Sequence, residues 1–290
     1  MKQFKALIIK DFNIYKSNFY KITIIFLSLY LLSVITSLIG YYHHSDQGHI
    51  FLNNLSINSH ALNGFDLSKG SFVFNAGLTA IVSFFFMIFT ISLSGSALNS
   101  DFEYKCSLFH RNLPISIWKI SGSRFIVTIF GSFLTMLILV LFTSLISNIV
   151  LMSIVKISLT YSLLGILKVI LPYTINSLLL ASIAFFFSSI FKRKALGKGI
   201  LILGIIHFSI VYLNFLFGLH IPYFLVKLAE TISFHVDSHT FSQLANQSSS
   251  ELASNIFASV FNFQTFLKLL YTGILFVIST LIMKYKEITE

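Results

Sequence analysis

The residues of this chain that could carry chemistry are a set of histidines and one short charged segment. Seven of the nine histidines fall in two stretches, 43–72 and 219–265. Imidazole is a common metal ligand, and His235 and His239 have the i,i+4 spacing of a helical zinc motif. No Glu follows His235, as that motif requires. A metal site and solvated surface histidines are both open interpretations, and we expect no bound metal.

Motifs for phosphate binding, hydrolysis or cysteine chemistry are absent from the sequence. It contains no G-x-x-x-x-G-K-[ST] loop, and the nearest fragment, Leu-Gly-Lys-Gly at 196–199, lacks the first glycine and the hydroxyl. It contains neither H-E-x-x-H nor G-x-S-x-G. The single cysteine, Cys106, excludes an intramolecular disulfide and a cysteine zinc site. We therefore expect no catalytic and no cofactor-binding residue in this chain.

The charged segment, 99–124, has the pattern of a short amphipathic helix. Ser100, followed three residues later by Glu103, predicts a capped helix start. An apolar stripe then ends before Pro114. Such a helix fits a groove on a partner protein, and the alternative is a solvated connector. The predicted partner contacts are Asp101, Phe102, Glu103, Lys105, Phe109 and Arg111, with Phe102 as the apolar anchor.

The elements around this segment are long apolar stretches. The chain has 290 residues, of which 56% are hydrophobic and only 10% charged, and its mean hydropathy is +0.85. So few charges exclude a soluble globular domain. About 20 apolar residues cross a bilayer core. The sequence predicts an all-α integral membrane protein, a single transmembrane domain over 1–290. Its six crossings are predicted at 22–42, 73–98, 125–149, 169–191, 199–218 and 266–283.

The stretch 1–21 precedes the first crossing and has apolar residues near helical spacing with lysines between them. This pattern predicts an amphipathic helix that lies in the membrane interface.

Three residues in or beside the crossings are assigned structural roles. We expect the amine of Lys268 to snorkel to the interface. Pro172 falls near a predicted helix end, where its missing N–H costs little. His207 is the only ionisable residue predicted at membrane depth, and we expect a hydrogen-bonded core histidine there.

The distribution of basic residues predicts the orientation. With the N-terminus on the cytoplasmic side, 15 of the 20 lysines and arginines are cytoplasmic. This bias obeys the positive-inside rule and predicts a multi-pass plasma-membrane protein with both termini in the cytoplasm. Because anionic lipid headgroups attract this positive charge, membrane anchoring explains it better than nucleic-acid binding, and we expect no nucleic-acid partner.

The predicted crossings carry no Asp, Glu, Lys or Arg near their centres. Ion-coupled transporters and proton pumps usually need buried carboxylates or charge pairs at that depth. A multispanning protein without such groups, and without a phosphate-binding loop, suggests a subunit that a partner drives.

Two segments carry a resemblance to a known family. Residues 7–12 read Leu-Ile-Ile-Lys-Asp-Phe, and residues 111–120 read Arg-Asn-Leu-Pro-Ile-Ser-Ile-Trp-Lys-Ile after Glu103. In this order, within a six-helix layout, they resemble ABC-2-type permeases, the membrane subunits of one class of ABC transporters. The resemblance spans the chain by topology, but by residues it covers only 7–12 and 101–120.

The resemblance implies an ABC-2-type permease fold and a set of partners. The segment between helices two and three would be the coupling helix, so the six contact residues named above would meet an ABC ATPase subunit. ATP and Mg would bind in that partner. The segment 219–265 would form short re-entrant helices, and a second permease would complete the complex as a homodimer or heterodimer. Peptide exporters of this family, including an exporter of amphipathic phenol-soluble modulin toxins, have this size and composition.

The leading hypothesis is thus an exporter permease for an amphipathic or hydrophobic substrate, such as a peptide, a toxin or a lipid-like molecule. The residues that bind this substrate are unknown. The alternative is an ion-coupled secondary transporter or channel, against which the sparse charge argues. A membrane-embedded enzyme or sensor is the third hypothesis, which the histidines of 43–72 and 219–265 keep open.

Overall fold

A computed structural model describes residues 2–43, 67–99, 115–152, 158–191, 193–232 and 248–289. These residues form helices and connecting turns, without a strand. The helices are α1 (Lys2–His43), α2 (Leu67–Ser96), α3 (Ile117–Met152), α4 (Leu159–Ile190), α5 (Ala195–Phe217), α6 (Phe224–Ile232), α7 (Ser249–Val260) and α8 (Phe263–Thr289). Six of them, all but the short α6 and α7, are long and apolar enough to cross a membrane. The structure therefore confirms an all-α protein with six candidate membrane-spanning helices.

Each predicted crossing overlaps one helix, but the helices extend further than predicted. Helix α4 begins at Leu159 rather than at residue 169, and α3 begins at Ile117. Residues 117–124, assigned from the sequence to the segment 99–124, therefore belong to α3. The reason is that a charge ends an apolar stretch but not a helix, since Lys and Arg are good helix formers.

The N-terminal region differs from the prediction of a separate interface helix. Helix α1 runs for 42 residues without a break at residue 21. Within its first half, the buried side chains recur every four residues: Leu7, Asp11, Tyr15 and Phe19. Tyr15 and Phe19 pack with Leu93 and Val127 rather than facing the lipid interface. This face is thus part of the helix bundle.

The core of the bundle lies where α2, α3 and α4 meet. A cluster of buried apolar side chains from these three helices includes Phe86, Leu139 and Ile170. Helices α2 and α4 are in close contact at Gly165, where a Cβ atom would lie 2.3 Å from the carbonyl oxygen of Phe72. Helix α8 packs on α4, and α1 packs on α3.

The two ends of the bundle are distinguished by their contacts. Lys119 at the start of α3 donates to Gln3 at 3.1 Å, and Lys286 near the end of α8 donates to the Ser189 carbonyl at 2.6 Å. The start of α1 and the last turns of α8 therefore lie at one end of the bundle, called here the proximal end. At the distal end, Leu252 and Ile256 of α7 pack against Phe72 and Leu164. The helices α6 and α7 both fall within 219–265, where the resemblance implies short helices.

The position of Pro172 differs from the prediction. Pro172 lies inside α4, not near its end as predicted, because the helix starts ten residues earlier than expected. The proline removes the N–H that would bond to the Lys168 carbonyl.

Helix α5 is peripheral: its buried residues are Ala195 and Gly199, while the rings of Phe208 and Phe215 are exposed.

Candidate functional site

The six residues predicted to contact a partner lie in 100–114, outside the described residues. The structure does describe what holds the two flanks of this segment, 97–99 and 115–124. We call the polar contacts among Asp11, Ala97, Leu98, Ser123, Arg124 and Ser188 the proximal clamp.

The end of α2 is held by side chains from two other helices. Nη1 of Arg124, on α3, donates to the Ala97 carbonyl at 3.0 Å. The N–H of Leu98 donates to Oγ of Ser188, on α4, at 3.0 Å. Arg124 is only 3% exposed, and Ala97 and Leu98 are fully buried. Buried backbone groups need hydrogen-bond partners, and these contacts supply them for the Ala97 carbonyl and the Leu98 N–H.

The start of α3 is held by α1. The hydroxyl of Ser123 donates to the carboxylate of Asp11, and both residues are buried. Asp11 occupies the buried face of α1, between Leu7 and Tyr15. A buried carboxylate costs free energy unless it is hydrogen-bonded, so this contact fixes α1 against α3.

Lys286 adds α8 to the same end of the bundle. Its amine donates to the carbonyls of Ser189 and Ile190, the last residues of α4. A cation at a helix C-terminus is favoured by the partial negative charge there. Five helices are thus joined by polar contacts at the proximal end.

The proximal clamp consists of hydrogen bonds that join one helix to another. It contains no histidine or cysteine, and its hydroxyls are engaged in hydrogen bonds. A displacement of either flank of 100–114 would be passed directly to α1, α3 and α4. The sequence did not predict these roles for Asp11 and Arg124, although the four-residue spacing from Leu7 through Asp11 to Tyr15 indicates a buried face.

Lys268, whose amine is predicted to snorkel to the interface, contacts a neighbouring helix. Its amine donates to Oδ1 of Asn176 at 2.8 Å. The amine is therefore bound to a neighbouring helix, and α8 and α4 share a charged contact.

The hydrogen bonding of His207 differs from the prediction. Among the described residues, no group forms a hydrogen bond with its buried Nδ1 atom. The imidazole ring lies 6.0 Å from the ring of Tyr223 and 6.4 Å from that of Phe208. The prediction of a hydrogen-bonded histidine is wrong for this nitrogen.

A neutral polar cluster fastens the distal half of the core. The Asn75 amide donates to Asn148 at 3.0 Å, and Ser144 donates to Asn75. Ser162 of α4 donates to Asn148 at 3.4 Å. These four residues are buried and bonded to one another, so they join α2, α3 and α4 without leaving a free group for a ligand.

The described residues contain no group of three or more His, Cys, Asp or Glu side chains that could hold a metal ion. His235 and His239, the pair with zinc-motif spacing, lie outside the described residues.

Comparison with protein-family models, with curated proteins and with solved structures finds no match to this chain.

Proposed function

We propose that this chain is the membrane-spanning permease subunit of an ATP-driven ABC exporter. It would move an amphipathic or hydrophobic substrate, such as a peptide, a toxin or a lipid-like molecule, out of the cell with the help of a separate ATPase subunit. The observation that carries the proposal is the proximal clamp, which fixes both flanks of 100–114 to the transmembrane helices.

The clamp supports this function because a driven subunit needs a stiff connection between the partner's surface and its own helices. A flexible connector would not transmit a displacement of the partner to the helices. Here Ala97 and Leu98 are bonded to α3 and α4, and Ser123 is bonded to Asp11 on α1. A force on 100–114 would therefore shift several crossings together, which is what alternating access requires.

The energy source belongs to the partner in this proposal. The sequence has no phosphate-binding loop, so ATP and Mg would bind in the ATPase. The exposed apolar side of α5 supplies a surface for lipid and for a second permease.

A second candidate function is ion-coupled secondary transport, which the contact between Lys268 and Asn176 favours. A charged group bonded inside the bundle is the kind of group that such transporters use. Depleting ATP while maintaining the ion gradient distinguishes the two: an exporter of the proposed type stops, and a secondary transporter continues.

The direct test is the replacement Phe102→Ala, compared with Lys105→Ala in the same segment. An aromatic interface anchor is worth about 2 kcal/mol or more, so Phe102→Ala should weaken ATPase binding by roughly 30-fold. An exposed ion pair is worth about 0–1 kcal/mol, so Lys105→Ala should have little effect. The measurement is co-purification of an ATPase containing G-x-x-x-x-G-K-[ST] from native membranes, together with ATP hydrolysis by the complex.

Two results would contradict the proposal. One is full ATPase recovery and full hydrolysis with Phe102→Ala, which would make 100–114 a connector only. The other is robust ATP hydrolysis by the purified chain without any partner.

A further inference from the structure

Helix α2 has buried hydroxyl groups that lack hydrogen-bond partners. Within the described part of the chain, Oγ1 of Thr79 and the Oγ atoms of Ser83 and Ser94 have none. All three side chains are almost completely inaccessible, at 0–1% exposure. A helical Ser or Thr usually donates to the carbonyl four residues earlier, as Thr90 does to Phe86 at 2.7 Å. Within an apolar bundle, a hydroxyl without a partner is costly.

Ser83 differs from the other two because it lines a cleft. This cleft lies between α2, α3 and α4 and opens to the surface. Its polar lining is entirely uncharged. Besides Ser83, it includes the hydroxyls of Thr90, Ser132, Tyr173, Thr174 and Ser177.

The other aliphatic hydroxyls of the cleft are arranged as acceptors. Ser132 donates to the Thr128 carbonyl at 2.7 Å, Thr174 to that of Ile170 at 2.6 Å, and Ser177 to that of Thr174 at 2.9 Å. Each oxygen still has lone pairs that can accept a hydrogen bond. Among the aliphatic hydroxyls of the cleft, that of Ser83 is the one without a hydrogen-bond partner. A ligand that accepts from Ser83 and donates to one of these oxygens would fit this lining.

We propose that this cleft binds water inside the membrane-spanning bundle, with Ser83 as the principal donor. The enclosed part of the cleft has room for about one water molecule. A polar site of that size is normally hydrated, whereas an apolar one stays empty. The absence of charge and the small volume argue against an ion or an organic substrate.

The water site lies between the middle of α2 and the part of α4 that follows Pro172. Ser83 lies near the middle of α2, and Thr174 and Ser177 lie two and five residues beyond Pro172, which interrupts the hydrogen-bond ladder of α4. Water is an exchangeable partner. It would pair the Ser83 hydroxyl between the helices without a direct bond from α2 to α4.

Cysteine reactivity in membranes tests the proposal. In the full chain carrying Cys106→Ser, Ser83→Cys is treated with a small, membrane-permeant thiol reagent. A thiol ionises only where water reaches it, and the thiolate is the reactive form. The matched controls are Ser182→Cys, fully buried but away from the cleft, and Phe84→Cys, 48% exposed on the outside of the bundle. We expect Ser83→Cys to react at least ~10-fold faster than either control. Equal rates would overturn the proposal.

The replacement Ser83→Ala gives a second readout that does not depend on the cysteine variant. If the hydroxyl is dry and unpaired, its removal raises the Tm of the purified protein, because an unsatisfied buried group is lost. If water is bound there, the Tm stays the same or falls. A raised Tm would refute the water site, and an unchanged or lower Tm would support it.

Discussion

At the scale of the residue, the structure shows how polar groups of a largely apolar protein are satisfied. The N-terminus of α7 is an example outside the six candidate crossings. Glu251 accepts from the N–H of Ser248 at 2.9 Å, and the Ser248 hydroxyl accepts from the N–H of Glu251 at 3.4 Å. This capping box supplies partners for two backbone N–H groups at the start of the helix, which α7 itself cannot supply.

The capping box predicts a pH dependence of α7. The backbone hydrogen bond from Ser248, followed by its side-chain hydrogen bond, holds the pKa of Glu251 below its ordinary value of 4.5. A lowered folded-state pKa means that the stabilisation is fully present above the unfolded-state pKa and is lost as the pH falls through the folded-state pKa. Amide-exchange protection over 249–260, corrected for intrinsic rates, should therefore decrease as the pH drops below about 4.5.

The control for this prediction is Glu251→Gln. Glutamine can form the same capping box but does not ionise, so its α7 should lose this pH dependence. An identical pH profile in the two proteins would show that another group is responsible.

At the scale of the element, helix packing depends on a few small residues. Gly165 of α4 lies directly against the backbone of α2, whereas Gly204 of α5 has no neighbouring atom within 4 Å of a potential Cβ. Both glycines are within apolar helices, and their sequence surroundings do not distinguish them. Only the packing of α2 on α4 shows that Gly165 has no room for a side chain.

We predict opposite effects for alanine at these two positions. In Gly165→Ala, the new Cβ would lie 2.3 Å from the Phe72 carbonyl oxygen, so the two backbones must separate. The expected destabilisation is about 1–3 kcal/mol or more, the usual cost of overpacking. In Gly204→Ala, stability should be unchanged or higher by up to about 1 kcal/mol, because alanine favours the helix. Thermal unfolding in detergent, followed by circular dichroism, measures both, and a Gly165→Ala protein as stable as the wild type would contradict this packing.

At the scale of the whole molecule, the arrangement of helices and the distribution of charge agree. The start of α1 and the last turns of α8 lie at the proximal end, which the contacts of Gln3 and Lys286 establish. The predicted topology assigns 15 of the 20 basic residues to the side of the membrane that holds this end. The positive-inside rule then predicts that the proximal end faces the cytoplasm.

Labelling in intact cells tests this orientation. In a Cys106→Ser background, a cysteine at Lys2 or at Glu287 should be protected from a membrane-impermeant thiol reagent and should react after permeabilisation. A cysteine at Lys227, whose side chain is 64% exposed, is the positive control and should react in intact cells. Labelling of Lys2→Cys or Glu287→Cys without permeabilisation would reverse the topology.

The sequence by itself determined the class of the protein and the approximate place of every crossing. Hydrophobicity is a local property that can be summed along a short stretch, so six apolar stretches gave six helices. It also suggested 100–114 as a partner-binding segment, and that remains a prediction. The helix ends were less predictable, as Pro172 and residues 117–124 show, because a helix continues past the charges that end an apolar stretch.

Only the tertiary structure decided which polar residues meet. Asp11 and Ser123 are 112 positions apart, and Lys268 and Asn176 are 92 apart. In a soluble protein, an alternation of polar and apolar residues would have shown which helix face is buried. In a membrane helix, the lipid-facing side is as apolar as the core, so this signal is weak. The partners of Asp11, Arg124 and Lys268 therefore follow from how the helices pack and not from any local pattern.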